Sequence, residues 1–235
     1  MKTYTTDKIR NVVLLGHGGA GKTSLVEAMA YLSGITSRLG NVADGSTVSD
    51  FGKEEQKRGI SLSTSVVPIE WGEYKINILD TPGYMDFVGE VEEAVSAADG
   101  AIIVVNGKAG VEAGTKRAWD LCEKYKLPRL VFVTAMDVDN ASFRQVVEDM
   151  SALYGKKMAP FNFYYITFDL IMQYPNRNLP KTFFGIYVSE EPCGIFRGEY
   201  AHLASLSGDR FAFLMAIFSV ILLYSFSEIV PCSNR

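Results

Sequence analysis

The fold of this protein is decided by one stretch, Gly16-His17-Gly18-Gly19-Ala20-Gly21-Lys22-Thr23. It fits the pattern G-x-x-x-x-G-K-[ST], in which a glycine-rich loop wraps a chain of phosphate groups. Glycines suit such a loop because they lack a Cβ and let backbone N–H groups approach anionic oxygens closely. Lys22 adds a cation for the β- and γ-phosphates, and Thr23 adds a hydroxyl for Mg²⁺. The stretch predicts a phosphate-binding loop (P-loop), with an ordinary glycine-rich turn as the alternative.

The sequence on either side of the P-loop supports this prediction. Residues 12–15 form a short apolar run, as expected for a buried parallel strand. Residues 22–32 carry apolar side chains at helical spacing. The N-terminus of such a helix adds unpaired N–H groups and the positive end of the helix dipole, both of which favour a bound phosphate.

Strand and helix patterns alternate up to about residue 160, which predicts a mostly parallel sheet covered on both faces by helices. The predicted segments are a hairpin at 65–70 and 75–79, strands at 101–105 and 130–133, and helices at 90–98, 113–125 and 142–154. Residues 34–59 are polar and lack periodicity. A loop of that length is unusual in a compact domain and predicts a functional segment.

Three more stretches carry polar candidates for the same site. Asp80 follows the 75–79 strand, where a carboxylate would hold Mg²⁺ directly or through water, and Gly83 would bring a backbone N–H to the γ-phosphate. Ser61 ends the long polar segment and would complete the Mg²⁺ shell when that segment closes. Asp137 follows the 130–133 strand and would accept hydrogen bonds from guanine. Each stretch alone also fits a plain turn or a helix cap.

Composition limits the possible classes of function. The net charge of −4 argues against a general electrostatic grip on nucleic acid, so sequence-specific nucleic-acid binding is not expected. The three cysteines, Cys122, Cys193 and Cys232, are isolated and fit neither a disulfide framework nor a zinc site. The first ten residues are polar and do not form a secretory signal. We therefore expect a reducing, cytoplasmic setting.

The composition changes near residue 160. The 75 residues from Phe161 onward hold 16 of the 28 aromatic residues but only 11 of the 50 charged ones. Within them, Phe211 to Ser227 is a run of 17 residues without a charge. A bilayer span needs about 20 apolar residues, with a lower limit near 17. A membrane anchor, a buried helix and accidental hydrophobicity remain open for this run, the anchor being the less favoured.

Taken together, the motifs resemble the G domain of translational GTPases, most closely elongation factor G and its relatives, over about Lys8 to Pro160. The resemblance implies a Ras-like α/β fold, GTP or GDP with Mg²⁺ as cofactors, and hydrolysis stimulated by the ribosome. It implies that Thr23, Ser61 and Asp80 hold the metal and that Lys22 and Tyr84 take part in catalysis. The residues implied to hold the nucleotide are Gly16, His17, Gly18, Gly19, Ala20, Gly21, Lys22, Thr23, Asp80, Gly83, Thr134 and Asp137.

Several residues depart from the family's pattern. Gly19 stands where these factors usually carry Asp, and Ser61 replaces a Thr but keeps the hydroxyl. Tyr84 replaces the His that orients the attacking water, and because a phenol supplies no imidazole, slow hydrolysis is expected. Thr134 and Ala135 replace the Asn and Lys of the Asn-Lys-x-Asp box, in which Asn contacts the base and braces the P-loop. The sequence thus predicts weakened guanine selectivity.

No resemblance to the family is recognisable after Pro160, so we expect two regions: an incomplete G domain at 1–160 and a tail of uncertain fold at 161–235. The change in composition favours a frameshifted or truncated reading frame over a purposeful tail. We expect residues 161–210 to be loosely packed and an apolar helix near 211–227. The leading interpretation is a GTP-binding, elongation factor G-like protein. The alternatives are a nucleotide-binding fragment with weak or no turnover and a membrane-tethered nucleotide switch.

Overall fold

The computed structural model describes residues 2–155, 158–161 and 184–188, which belong to one compact unit. The strands are β1 (Ile9–Gly16), β2 (Ser65–Trp71), β3 (Tyr74–Asp80), β4 (Gly100–Asn106), β5 (Arg129–Thr134), β6 (Met158–Phe161) and β7 (Phe184–Val188). The α-helices are α1 (Lys22–Leu32), α2 (Lys53–Arg58), α3 (Val88–Ser96), α4 (Ala113–Tyr125) and α5 (Phe143–Tyr154). Three short 3₁₀ turns, at Thr6–Lys8, Val42–Asp44 and Met85–Phe87, complete these elements.

Within these residues the strands form one mixed sheet in the order β2-β3-β1-β4-β5-β7-β6. β1 pairs in parallel with β3 and β4, β4 pairs in parallel with β5, and β2 is antiparallel to β3. The predicted α/β sheet, mostly parallel with an antiparallel hairpin, is confirmed. The parallel register aligns Gly16 with Val104 and Asn106 with Thr134, so the carboxyl ends of β1, β4 and β5 meet at one edge of the sheet.

Helices cover both faces of this sheet. On one face, α3, α4 and α5 bury a core around β1, β4 and β5 that includes Val13, Ile103, Trp119 and Met150. Because side chains alternate along a strand, the neighbouring residues of β1 point to the opposite face, where α1 contacts β1, β2 and β3. Packing on both faces of the sheet therefore fixes the strands and helices that surround the P-loop.

The edge of the sheet beyond β5 differs in part from the expectation. Among the described residues, no parallel strand pairs with β5 on its far side. However, β7 pairs antiparallel with β5, and β6 pairs antiparallel with β7. The expectation that all of residues 161–210 are loosely packed is therefore wrong for Phe184–Val188. An unpaired strand edge is a template for further pairing, and the Phe, Ile, Tyr and Val of this segment favour a strand.

The remaining predictions about the tail, including the apolar helix near 211–227, lie outside the described residues. Within the described ranges, no helix is both long enough and apolar enough to cross a membrane.

Candidate nucleotide-binding site

The P-loop connects β1 to α1 and depends on glycine at two positions. Gly16 has φ of 147°, and a Cβ atom placed there would lie 2.4 Å from the carbonyl oxygen of Val104 on β4. Gly21 is the N-cap of α1 and has φ of 91°. These positions exclude other side chains because of the close approach at Gly16 and the left-handed backbone at Gly21. Glycine is therefore needed both where the loop leaves β1 and where it enters α1.

Lys22 lies over this loop rather than in solvent. Its side chain is buried, and Nζ donates to the carbonyl oxygens of Gly16 at 3.1 Å and His17 at 3.0 Å. Burial lowers the pKa of Lys22 to about 8, against the opposing effect of the Asp80 and Asp50 carboxylates. The ammonium group is thus held at the loop in an environment that destabilises its charge, as long as no further anion is nearby.

Thr23, Ser61 and Asp80 meet beside the first turn of α1. Thr23 Oγ1 donates to Asp80 Oδ2 at 2.9 Å and lies 3.2 Å from Ser61 Oγ. Asp80 is 1% exposed, its Oδ1 has no hydrogen-bond partner in the described part of the chain, and burial raises its pKa to about 6. Hydroxyl and carboxylate oxygens are the ligands that Mg²⁺ prefers, and a buried unpaired oxygen fits a metal that phosphates and water also coordinate. The three predicted metal residues are therefore brought together.

The segment after β3 packs directly on the P-loop. Thr81 Oγ1 donates to the carbonyl oxygen of Leu14 at 2.6 Å and fixes the start of this segment. A Cβ atom at Gly83 would lie 2.5 Å from Lys22 Nζ and 2.6 Å from the backbone nitrogen of Gly18. Only a glycine lets the backbone come this close to the lysine. Tyr84 follows with its side chain 44% exposed.

His17 connects the P-loop to α4. The backbone N–H of Gly114 donates to His17 Nδ1 at 3.3 Å, so this nitrogen is the unprotonated one and Nε2 carries the proton. Nε2 lies 3.5 Å from Glu112 Oε1 at the N-cap of α4. The sequence indicated His17 only as a member of the loop, and the structure adds this link to a neighbouring helix.

The residues predicted to contact the base lie just after β5. Thr134 Oγ1 donates to the carbonyl oxygen of Ala20 at 2.6 Å and lies 3.2 Å from that of Val105. Thr134 therefore braces the P-loop, the task that the resemblance gives to Asn at this position. Ala135 has φ of 53°, in the left-handed region, and Asp137 is exposed in the following turn. The structure thus places Asp137 at the same edge of the sheet as the P-loop.

Comparison with known proteins now gives the family. The sequence matches the family described as the elongation factor Tu GTP binding domain over residues 7–227. The chain belongs to this family. It is 47% identical over 148 residues to the mitochondrial ribosome-releasing factor 2 of Anopheles gambiae, which is 63% of this chain and 20% of the relative. The match to the same factor of Drosophila melanogaster is 46% over 149 residues, again 63% and 20%. The chain thus spans about a fifth of the length of these curated relatives.

Solved structures support the same assignment. A protein from Thermus thermophilus, known from a crystal structure, is 39% identical and has a TM-score of 0.62. The match covers 66% of this chain and 24% of the Thermus thermophilus chain. A bacterial selenocysteine-specific elongation factor is 23% identical and has a TM-score of 0.52, which shows a shared fold. That match covers 62% of this chain and 23% of the elongation factor. The predicted resemblance to translational GTPases of the elongation factor G type is confirmed. The match to the family also continues past Pro160.

Two buried carboxylates of this GTP-binding domain were missed by sequence reasoning. Glu27 on α1 is 1% exposed and accepts hydrogen bonds from the backbone N–H groups of Gly40, at 3.0 Å, and Val48. Glu55 on α2 accepts from the N–H groups of Gly52 and Leu62, both at 3.0 Å. The Glu27 contacts tie the long polar segment to α1, and the Glu55 contacts tie the start of α2 to the residues that follow it. The available signal for Glu27 was a lone carboxylate within an otherwise apolar stretch of α1.

Proposed function

We propose that this chain binds Mg·GTP and Mg·GDP at the P-loop. The observation that carries the proposal is the convergence of Lys22, Thr23, Ser61 and Asp80, which come from three separate parts of the sequence and meet at the first turn of α1. Backbone N–H groups of the loop and of the helix N-terminus then bind the phosphate oxygens. Gly83, beside Lys22 Nζ, would respond to the γ-phosphate.

The charges of the site support a ligand that combines an anion with a cation. Burial lowers the pKa of Lys22 to about 8 and raises the pKa of Asp80 to about 6, so the charged forms of both groups are disfavoured. Phosphate oxygens would stabilise the charged form of Lys22, and a divalent cation would stabilise that of Asp80.

We infer that GTP hydrolysis is slow. Phosphoryl transfer depends mostly on positioning and on electrostatic stabilisation, and bound Mg²⁺ neutralises charge on the β- and γ-phosphates. Lys22 and the backbone N–H groups of the loop would stabilise negative charge on the same phosphates. By the resemblance, Tyr84 stands at the position of the residue that orients the attacking water, and its phenol would do this less well than an imidazole. This residue favours the second candidate function, a nucleotide-binding module with little or no turnover.

We also propose guanine as the preferred base, read mainly by Asp137. Its position after β5, at the carboxyl edge of the sheet, supports a contact with the guanine N1–H and N2–H₂ groups. Ala135 offers no long side chain to pack along the base. Selectivity would therefore rest on one carboxylate and be weaker than in relatives with the full Asn-Lys-x-Asp box.

The ribosome is the partner we propose for the chain. Curated relatives carry the name ribosome-releasing factor 2, and the chain spans about a fifth of their length. We propose the cytoplasm as the compartment, since the isolated cysteines fit a reducing setting. Imaging of the chain with a C-terminal fluorescent tag tests this. Location in mitochondria, as in the names of the relatives, would contradict the cytoplasmic assignment.

Equilibrium titration with the fluorescent nucleotide mant-GDP and Mg²⁺ tests the function. Wild-type chain binds, and Lys22→Ala weakens binding by at least about tenfold, because a hydrogen bond from a charged group contributes about 1.5–3 kcal/mol. Lys116→Ala, at an exposed lysine of α4, serves as the matched control and leaves binding unchanged. Equal affinity of the wild type and Lys22→Ala would contradict the P-loop assignment.

A further inference from the structure

The Tyr84 ring lies against the backbone of the P-loop at Gly18. A Cβ atom placed at Gly18 would be 2.9 Å from Cζ of Tyr84 and 3.1 Å from each of its Cε atoms. All three of the nearest atoms belong to the ring, and none belongs to the backbone. The ring therefore occupies the space that a side chain at position 18 would need.

Gly18 does not have the left-handed backbone of the other loop glycines. Gly16, Gly19 and Gly21 of the loop have φ values between +78° and +147°, whereas Gly18 is not among the glycines with positive φ. A left-handed backbone therefore does not account for the glycine at this position. The nearest atoms that a side chain there would meet are those of the Tyr84 ring.

The contact lies at the phosphate end of the loop. The residue before Tyr84, Gly83, is the one whose added Cβ would meet Lys22 Nζ at 2.5 Å and the Gly18 nitrogen at 2.6 Å. Lys22 Nζ and the loop N–H groups are the donors that the proposed function gives to the phosphates. The Tyr84 ring thus covers the loop beside these donors, with one side exposed to solvent.

We propose that Gly18 and Tyr84 act as a pair that covers the bound phosphates and slows nucleotide release. Gly18 is a positioning residue, because its missing side chain lets the Tyr84 ring lie on the loop. The ring must leave this position before a nucleoside diphosphate can dissociate, and it is held there by packing on the glycine backbone. The proposal rests on the proposed nucleotide binding and adds the control of exchange at that site.

A double-mutant cycle on the complete 235-residue chain tests the pair. The variants are Gly18→Ala, Tyr84→Ala and the combination, and the measurement is the rate of mant-GDP release by stopped flow in the presence of Mg²⁺. Each single change raises the release rate about threefold or more, and the combination releases no faster than Tyr84→Ala alone, because contacting residues do not act additively. Gly89→Ala is the control, since Gly89 has open space around it and a negative φ.

Two outcomes would overturn the proposal. If Gly18→Ala speeds release equally with and without the Tyr84 ring, the alanine acts on the loop and not through the ring. If neither single change alters release, the ring does not control it.

Urea unfolding of the same variants without nucleotide separates this proposal from the proposed function. Gly18→Ala should lower the midpoint of unfolding when Tyr84 is present and leave it unchanged in the Tyr84→Ala background. If the variants show this coupling but the wild-type chain binds no mant-GDP, the contact is confirmed, while the proposed function and the control of release are contradicted. If the wild-type chain binds mant-GDP but the variants show no coupling, only the proposed action of Gly18 and Tyr84 as a pair is contradicted.

Discussion

Replacing Thr134 by valine would test how the P-loop is held to the sheet. Valine keeps the branched shape of threonine and puts a methyl group in place of the hydroxyl, whose Oγ1 donates to the Ala20 carbonyl at 2.6 Å. Ala20 is 1% exposed, so water cannot easily replace the lost donor. The substitution therefore removes one buried hydrogen bond without creating a cavity.

The expected cost follows from that geometry. A buried polar group that loses its partner costs about 1–3 kcal/mol. The carbonyl oxygen of Val105 lies 3.2 Å from Thr134 Oγ1 and also loses this hydroxyl in the valine variant. We expect the free energy of unfolding to fall by about 1–2 kcal/mol. For a chain of this size that lowers the melting temperature by about 2–4 °C per kcal/mol. Because Ala20 belongs to the P-loop, mant-GDP affinity should fall as well.

Urea unfolding followed by tryptophan fluorescence measures the effect, since Trp119 on α4 is 6% exposed and packs in the core. Thr134→Ser keeps the hydroxyl and should retain most of the mant-GDP affinity, whereas Thr134→Val should not. If the valine variant equals the wild type in both stability and affinity, the hydrogen bond to Ala20 contributes nothing and the assignment of Thr134 as the brace is wrong.

Three further predictions follow from the site and the core. Tyr84→His should raise the single-turnover rate of GTP hydrolysis, because an imidazole orients water better than a phenol. An unchanged rate would show that Tyr84 is not what limits hydrolysis. Asp137→Ala should abolish the modest preference for GTP over ATP in competition with mant-GDP, and a strong preference that survives would exclude Asp137 as the reader of guanine. Cys122 is fully buried, and burial raises the pKa of its thiol to about 12. At pH 8 only about one thiol in ten thousand is ionised, so peptide mapping should show no iodoacetamide labelling of Cys122 until the protein unfolds in urea.

The local elements of this fold follow from the sequence because their signals lie close together in the chain. The bounds of α1 and α4 agree with the predicted 22–32 and 113–125, where the P-loop glycine and the helical apolar spacing mark the ends. The start of α5 agrees with the predicted 142–154, where Ser142 is the N-cap and its side chain accepts from the Gln145 N–H at 3.2 Å. The P-loop itself is a run of eight consecutive residues, in which Gly16, Gly21, Lys22 and Thr23 match the positions that the pattern specifies.

The tertiary structure alone decided the contacts between distant parts of the chain. Thr134 and Ala20 are 114 residues apart, and they meet because β1, β4 and β5 align in a parallel register that no local pattern specifies. The Tyr84 ring reaches Gly18 only because β3 lies beside β1. A sequence shows which side chains carry charge or lack a Cβ. Which of them touch depends on strand order and register, and these are set by packing of the whole sheet.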